Sequence, residues 1–196
     1  MKNVLLITAD HMRYDALGCS GNEFVQTPNL DRLASTGVNF LNAFTTNPIC
    51  VPARASITTG NYPHKAIGRK INDGFIRDDQ VKIAEHFRNA GYRTYGIGKL
   101  HYVPYSPPNS PRLLHGFESA VLTEEGRILN QYDPYGELTG IEDYHDYLVE
   151  VGWGGYDRAH GVGNNDIHPA PSPLPKEHYV DAWVVDQTIK ALERHI

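Results

Sequence analysis

The chain opens on an unbroken apolar run, Val4-Leu5-Leu6-Ile7, which is closed by the polar pair Asp10-His11. A continuous run of this length fits a strand covered on both faces, as in a parallel sheet, and predicts a strand over residues 3–9. Asp10 then stands at the carboxyl end of that strand, where open α/β sheets place their ligand sites. Thr27-Pro28 reads as cap and first turn of a helix with Leu30, Leu33 and Ala34 on one face, ended by Gly37. Residues 38–44 carry the pattern of a second strand. Residues 52–59 read as a short helix stopped by Gly60. Asp78 or Asp79 is the expected cap of a further helix, in which Ile83, Ala84 and Phe87 share a face before Gly91. Residues 92–97 return as a strand. This alternation of strands and helices argues for α/β layering around a largely parallel sheet.

Beyond Lys99 the pattern breaks. Pro104, Pro107, Pro108 and Pro111 interrupt it, and a Tyr- and Gly-rich stretch runs to about Pro175, with one helix expected over residues 141–151 before Gly152. Long irregular segments of this kind are usually functional loops or linkers. Residues 176–196 are again of helical period, with Ala182, Val185, Ile189, Leu192 and Ile196 on one side. That helix stops at His195-Ile196 without a capping glycine or proline, so the chain reads as cut short.

Composition narrows the function classes. The 196 residues hold 18 basic and 23 acidic side chains, a net charge of -5, with no Lys/Arg-rich block. A nucleic-acid partner therefore has no electrostatic footprint. The first apolar run is shorter than the roughly 7–15 residues of a secretory signal, and nothing approaches a membrane span of about 20. The expectation is a soluble, cytoplasmic protein with no membrane partner. Of the two cysteines, Cys19 reads as a small buried residue, and an intracellular chain keeps both reduced.

The chemistry sits in three segments. The first is Asn47-Pro48-Ile49-Cys50-Val51-Pro52-Ala53-Arg54-Ala55-Ser56-Ile57-Thr58-Thr59-Gly60. A residue at a helix start sees backbone N–H groups and the positive end of the helix dipole, which favour an anionic nucleophile or substrate. Arg54 adds a fixed cation one turn on. Cys50 here is a small core residue, an activated thiol, or something more unusual. The second segment is Gly91-Tyr92-Arg93-Thr94-Tyr95-Gly96-Ile97-Gly98-Lys99-Leu100-His101, in which Lys99 and His101 leave a strand two residues apart and so point the same way in extended chain. The third is Thr8-Ala9-Asp10-His11-Met12-Arg13-Tyr14-Asp15, followed by Thr27-Pro28-Asn29-Leu30-Asp31. Asp10 on its own is equally a helix cap.

Taken together and in this order, the three segments resemble the sulfatase family, with its Cys-x-Pro-x-Arg signature, its later Gly-Lys-x-His and its acidic pair after the first strand. The resemblance covers most of residues 4–101. It implies an α/β fold of the alkaline phosphatase type, a mixed, mainly parallel sheet sandwiched between helices, of which residues 1–196 form the amino-terminal part of a single catalytic domain. It implies hydrolysis of sulfate monoesters by a formylglycine made from Cys50, and so a formylglycine-generating enzyme as partner during maturation and a small-molecule sulfate ester as substrate. Arg54, Lys99 and His101 are the implied catalytic residues beside residue 50, with Lys99 and His101 on the substrate. Asp10, His11 and Cys50 are the implied ligands of a divalent metal. By resemblance that metal is calcium, with manganese or magnesium as alternatives. His11 departs from the family, where Asp or Gln is usual, and imidazole suits manganese or zinc better than calcium. A phosphonate or phosphate ester hydrolase on the same scaffold, or an inactive fragment without the family's later metal ligands, are the alternatives. His145, His160, His168 and His178 show no ligand spacing and read as surface or loop residues.

Overall fold

A computed structural model describes residues 2–68, 72, 74–101, 112–124, 139–158 and 168–194. Pro104, Pro107, Pro108, Pro111, His160, His195 and Ile196 lie outside the described residues. The chain divides into two compact units, Met1–Phe44 and Thr45–Ile196.

In the first unit, helix α1 spans Pro28–Thr36, preceded by a short 3-10 turn at Gly18–Ser20. Proline opens α1 where its missing N–H costs nothing. Thr27 does not cap it through its side chain, against expectation. Its hydroxyl is committed elsewhere, donating to Asp31 Oδ1 (2.9 Å) and accepting the Gly18 amide (2.9 Å). Asp31 Oδ1 also accepts the Cys19 amide at 2.8 Å. A Cβ at Gly18 would stand 2.6 Å from Asp31 Oδ2, so a larger residue there would displace the Asp31 carboxylate. Cys19 is half-buried and not a core residue, because the 3-10 turn that carries it lies against α1 through these polar contacts.

The strands expected at residues 3–9 and 38–44 do not form. Val4, Leu5, Leu6 and Ile7 are 60–79% exposed, and Val38, Phe40, Leu41 and Phe44 are exposed as well. An apolar run records that a segment suits a covered strand, but a strand exists only through its ladder partners. Neither segment has one among the described residues. The apolar face of α1 is likewise exposed at Leu30 and Leu33.

In the second unit, α2 spans Cys50–Thr59, α3 Pro63–Ala66 and α4 Ile83–Asn89. Strands β1 (Tyr95–Gly98) and β2 (Ser119–Leu122) follow, then α5 (Asp143–Glu150) and α6 (Val180–Glu193). α2 starts two residues before the expected position and ends where Gly60 turns left-handed (φ 68) and donates to Ser56 O. α4 is not capped by Asp78 or Asp79. Asp79 pairs with Arg77 at 3.0 Å, and the Glu85 carboxylate instead accepts the Lys82 amide at 3.0 Å. β1 and β2 pair in parallel, Tyr95 opposite Ser119 through Gly98 opposite Leu122.

Two apolar clusters hold this unit. Val51, Ala55, Ala66, Ile67 and Ile76 pack α2 on α3. Tyr144, Leu148, Leu174 and Trp183 join α5 to α6, flanked by Val121, Tyr147, Trp153, Val180 and Val184. α6 therefore faces inward through Val180, Trp183 and Val184, while Val185, Ile189 and Leu192 of the expected stripe are exposed. The large ring of Trp183, at 5.2 Å between centroids from Tyr144, decides the rotation of the helix. Trp183→Ala is expected to destabilise the chain by about 3–5 kcal/mol in denaturant unfolding, and Val185→Ala by less than about 0.5 kcal/mol. Equal losses would show that α6 packs through the other stripe.

Candidate active site

Cys50 is the first residue of α2, half-buried and not engaged in a disulfide. The chain enters the helix extended, with Ile49 at φ -116, ψ 140. Two asparagines bracket this entry. Asn47 Oδ1 accepts the Ile49 amide at 2.9 Å, and Asn72 Oδ1 accepts the Val51 amide at 2.9 Å. The Val51 amide has no partner inside the helix, so Asn72 does the work of a cap from a distant segment. Pro52 has no N–H to satisfy at this position. Val51, Pro52, Ala55 and Thr58 are the buried side of α2. Cys50 and Arg54, four residues apart, share a different face.

Arg54 connects α2 to the end of β1, its Nη1 donating to the Lys99 backbone carbonyl. β1 ends at Gly98, whose left-handed backbone (φ 93) turns the chain under Val184 of α6. Only glycine takes that conformation without strain. Lys99 follows half-buried, and His101 is buried at 7% exposure. His101 is itself left-handed (φ 50), a conformation uncommon for a residue with a Cβ. Its amide donates to Glu124 Oε1 at 2.7 Å.

Glu124, just past β2, is 2% exposed, and the Glu142 carboxylate accepts its amide at 2.8 Å. Burial pushes the Glu124 carboxyl up to about 7. The hydrogen bond from the His101 amide opposes this, Glu142 adds to it, and Lys99 and Arg54 oppose it. Asp143, the first residue of α5, accepts the Leu122 amide at 2.6 Å and pairs with Arg112 at 2.6 Å. The start of α5 thus fixes the amides of Leu122 and Glu124, alternate residues on one side of an extended chain.

Of the residues expected at the site, Arg54, Lys99 and His101 are brought together, with Cys50 one helical turn from Arg54. Glu124, Glu142 and Asn72 were not anticipated. In the sequence each looks like an ordinary polar loop or cap residue. Asp10 and His11 belong to the first unit, where both are exposed and His11 is left-handed (φ 57). A carboxylate and an imidazole on consecutive residues are chemically fit to hold a divalent cation, and the imidazole moves the fit toward manganese or zinc. His145 is neither a surface nor a loop residue, since it is buried in α5, whereas His178 is half-buried in the 3-10 turn Lys176–His178 before α6. His145 is buried with Nδ1 3.0 Å from Asp157, and Tyr147 OH meets His178 Nδ1 at 2.6 Å. The His178 ring lies 5.8 Å from that of Tyr147, between centroids, whereas His145 pairs with the Asp157 carboxylate. His168 is exposed, as expected.

A model of the family described as Sulfatase matches residues 2–193. The chain belongs to the sulfatase family. An arylsulfatase of Clostridium perfringens is 37% identical over 201 residues, covering 98% of this chain and 40% of that sulfatase. An N-acetylglucosamine-6-O-sulfatase of Bacteroides thetaiotaomicron is 32% identical, covering 88% and 35%. This sulfatase chain thus spans about two fifths of the length of those relatives. The crystal structure of a phosphonate monoester hydrolase of Agrobacterium radiobacter superimposes with a TM-score of 0.69 over 96% of this chain and 37% of its own, at 22% identity. That likeness shows the fold, α/β of the alkaline phosphatase type. Among the described residues no helix is long and apolar enough to cross a membrane.

The buried Glu124 gives a pH signature. Its carboxyl sits near 7, above its ordinary 4.5, so the folded sulfatase chain holds this proton more tightly than the unfolded one. The stability it contributes is full below pH 4.5 and is lost as pH rises through 7. Glu124→Gln removes that dependence. In thermal unfolding, the Tm of the variant relative to the parent is expected to be higher at pH 8 than at pH 5. An identical difference at both pH values would contradict the assignment.

Proposed function

We propose that the protein to which this chain belongs hydrolyses sulfate monoesters, with residue 50 as nucleophile. The observation that carries the reading is the tie of Arg54, one turn from Cys50, to the Lys99 carbonyl, which gathers the two signature segments into one cationic site. The sulfatase relatives over nearly the whole chain support the reaction class.

The chemistry of sulfate esters explains the choice of nucleophile. A serine or thiol attacking sulfur leaves a covalent sulfate that water must then cleave at a crowded anionic centre. Conversion of Cys50 to formylglycine by a generating enzyme supplies a hydrated aldehyde, with one hydroxyl to attack and a second to expel sulfate by carbon–oxygen cleavage. At the start of α2 the positive end of the helix dipole and the Arg54 cation, one turn on, favour an oxyanion at residue 50. Lys99 and His101 bind and orient the sulfate oxygens and stabilise the charge that develops on them. By family resemblance Asp10, His11 and residue 50 are the residues that would hold a divalent metal, calcium in the family and manganese by the chemistry of His11. At those residues a divalent metal would supply Lewis-acid chemistry for the sulfate ester.

Two measurements test the reading in the full-length protein. Against aryl sulfate, phosphonate monoester and phosphate diester, kcat/KM is expected to be highest for the sulfate, and Lys99→Ala to lower it by on the order of 10²-fold, as loss of one charge-stabilising donor does. A preference for the phosphonate would assign the site to that chemistry instead. Asp10→Ala is expected to abolish both retained metal, read by elemental analysis, and turnover. Full metal content in that variant would remove Asp10 from the ligand set.

A further inference from the structure

The three residues from Lys99 to His101 carry two of the site's functional side chains but lie beyond the β1–β2 ladder, which closes with the Thr123 amide on Gly98 O at 3.3 Å. Past that point the segment is fixed by two side chains from elsewhere. Arg54 holds its first residue through the Lys99 carbonyl, and Glu124 holds its last through the His101 amide. The second tie is the less expected one. A backbone amide is satisfied by any carbonyl oxygen, yet here the acceptor is a carboxyl group on a residue only 2% exposed. Burying an acid costs far more than burying an amide. Its surroundings make the arrangement coherent. Glu142, before α5, holds the Glu124 amide, and the charges facing Glu124 are Glu142, Lys99 and Arg54. The hydrogen bond also falls on the residue that most needs it, since His101 adopts a left-handed backbone that its own side chain disfavours.

We infer that Glu124 is a positioning residue for catalysis, which holds His101 in its left-handed conformation through the backbone amide and so fixes where the imidazole and the Lys99 ammonium are presented. This rests on the reading that Lys99 and His101 face the substrate. Glu124 does not touch the ester. It acts through His101, and Glu142 acts through Glu124. The route runs from the start of α5, across the end of β2, to the active segment after β1.

The test compares Glu124→Leu, which keeps the bulk and removes the acceptor, with Glu124→Gln, which keeps an acceptor oxygen without the charge. Hydrogen–deuterium exchange of the peptide covering residues 99–101 reads the tie itself, and kcat and KM on the ester that wild type turns over read its effect. Protection in wild type, kept in Glu124→Gln and reduced tenfold or more in Glu124→Leu, is expected. With it, kcat of Glu124→Leu falls by roughly 10- to 100-fold with KM within about threefold, and Glu124→Gln recovers most of the loss. No protection in wild type overturns the inference even where the leucine variant fails to fold. So does wild-type kcat in Glu124→Leu, a rise in KM alone, or a glutamine variant as impaired as the leucine one. A wild type that turns over phosphonate and not sulfate overturns only the substrate reading, since the same comparison then runs on phosphonate.

Discussion

The contact between the Arg54 guanidinium and the Lys99 carbonyl is the constraint on which the site in the second unit depends. α2 and β1 are separated by α3 and α4 in sequence and are held by different apolar packing, so neither brings the other's functional residues into register by itself. A guanidinium has several donors in a fixed plane. One of them on the main-chain carbonyl fixes the height at which Lys99 leaves the strand. On either side of that carbonyl stand the left-handed Gly98 under Val184 and the left-handed His101, whose amide meets the carboxyl of Glu124.

The same region is costly for the fold. Glu124 and Glu142 are both essentially without solvent contact, and each accepts a main-chain amide where a neutral oxygen would serve. Buried acids tied to an active segment are a familiar form of function set against stability. His115 makes a useful contrast. Burial, and then the nearby Lys82 charge, hold its imidazole down to about 4, so it stays neutral at pH 7 beside α4. Glu124 titrates near neutrality and sits where its charge is felt by Lys99 and Arg54.

The legible parts of the sequence were those whose cause is local. Pro28 and Gly60 mark helix ends through their own backbone preferences, and the helices over α1, α2, α4, α5 and α6 were readable from them and from period. Cys50, Arg54, Lys99 and His101 stand out by residue type and spacing, and the family they resemble is the one whose model matches residues 2–193. The illegible parts were non-local. The runs at residues 4–7 and 38–44 look like strands, but a strand needs neighbours that a local pattern cannot supply. β2 was hidden by its shortness and its irregular surroundings. Asn72, Glu124 and Glu142 act on residues 21, 23 and 18 positions away, so nothing beside them in the sequence marks their roles. The inward face of α6 was misjudged because one tryptophan outweighs a longer stripe of smaller apolar residues.

The proposed hydrolysis turns on residue 50 working as an oxidised cysteine and not as a thiol. Its most direct test is mass spectrometry of the peptide containing residue 50, with hydrazide labelling, on protein made with and without the generating enzyme and assayed on an aryl sulfate. The account predicts that turnover rises in proportion to the aldehyde fraction and is absent when that fraction is zero. Full multiple-turnover activity in a preparation whose residue 50 is entirely thiol would contradict it.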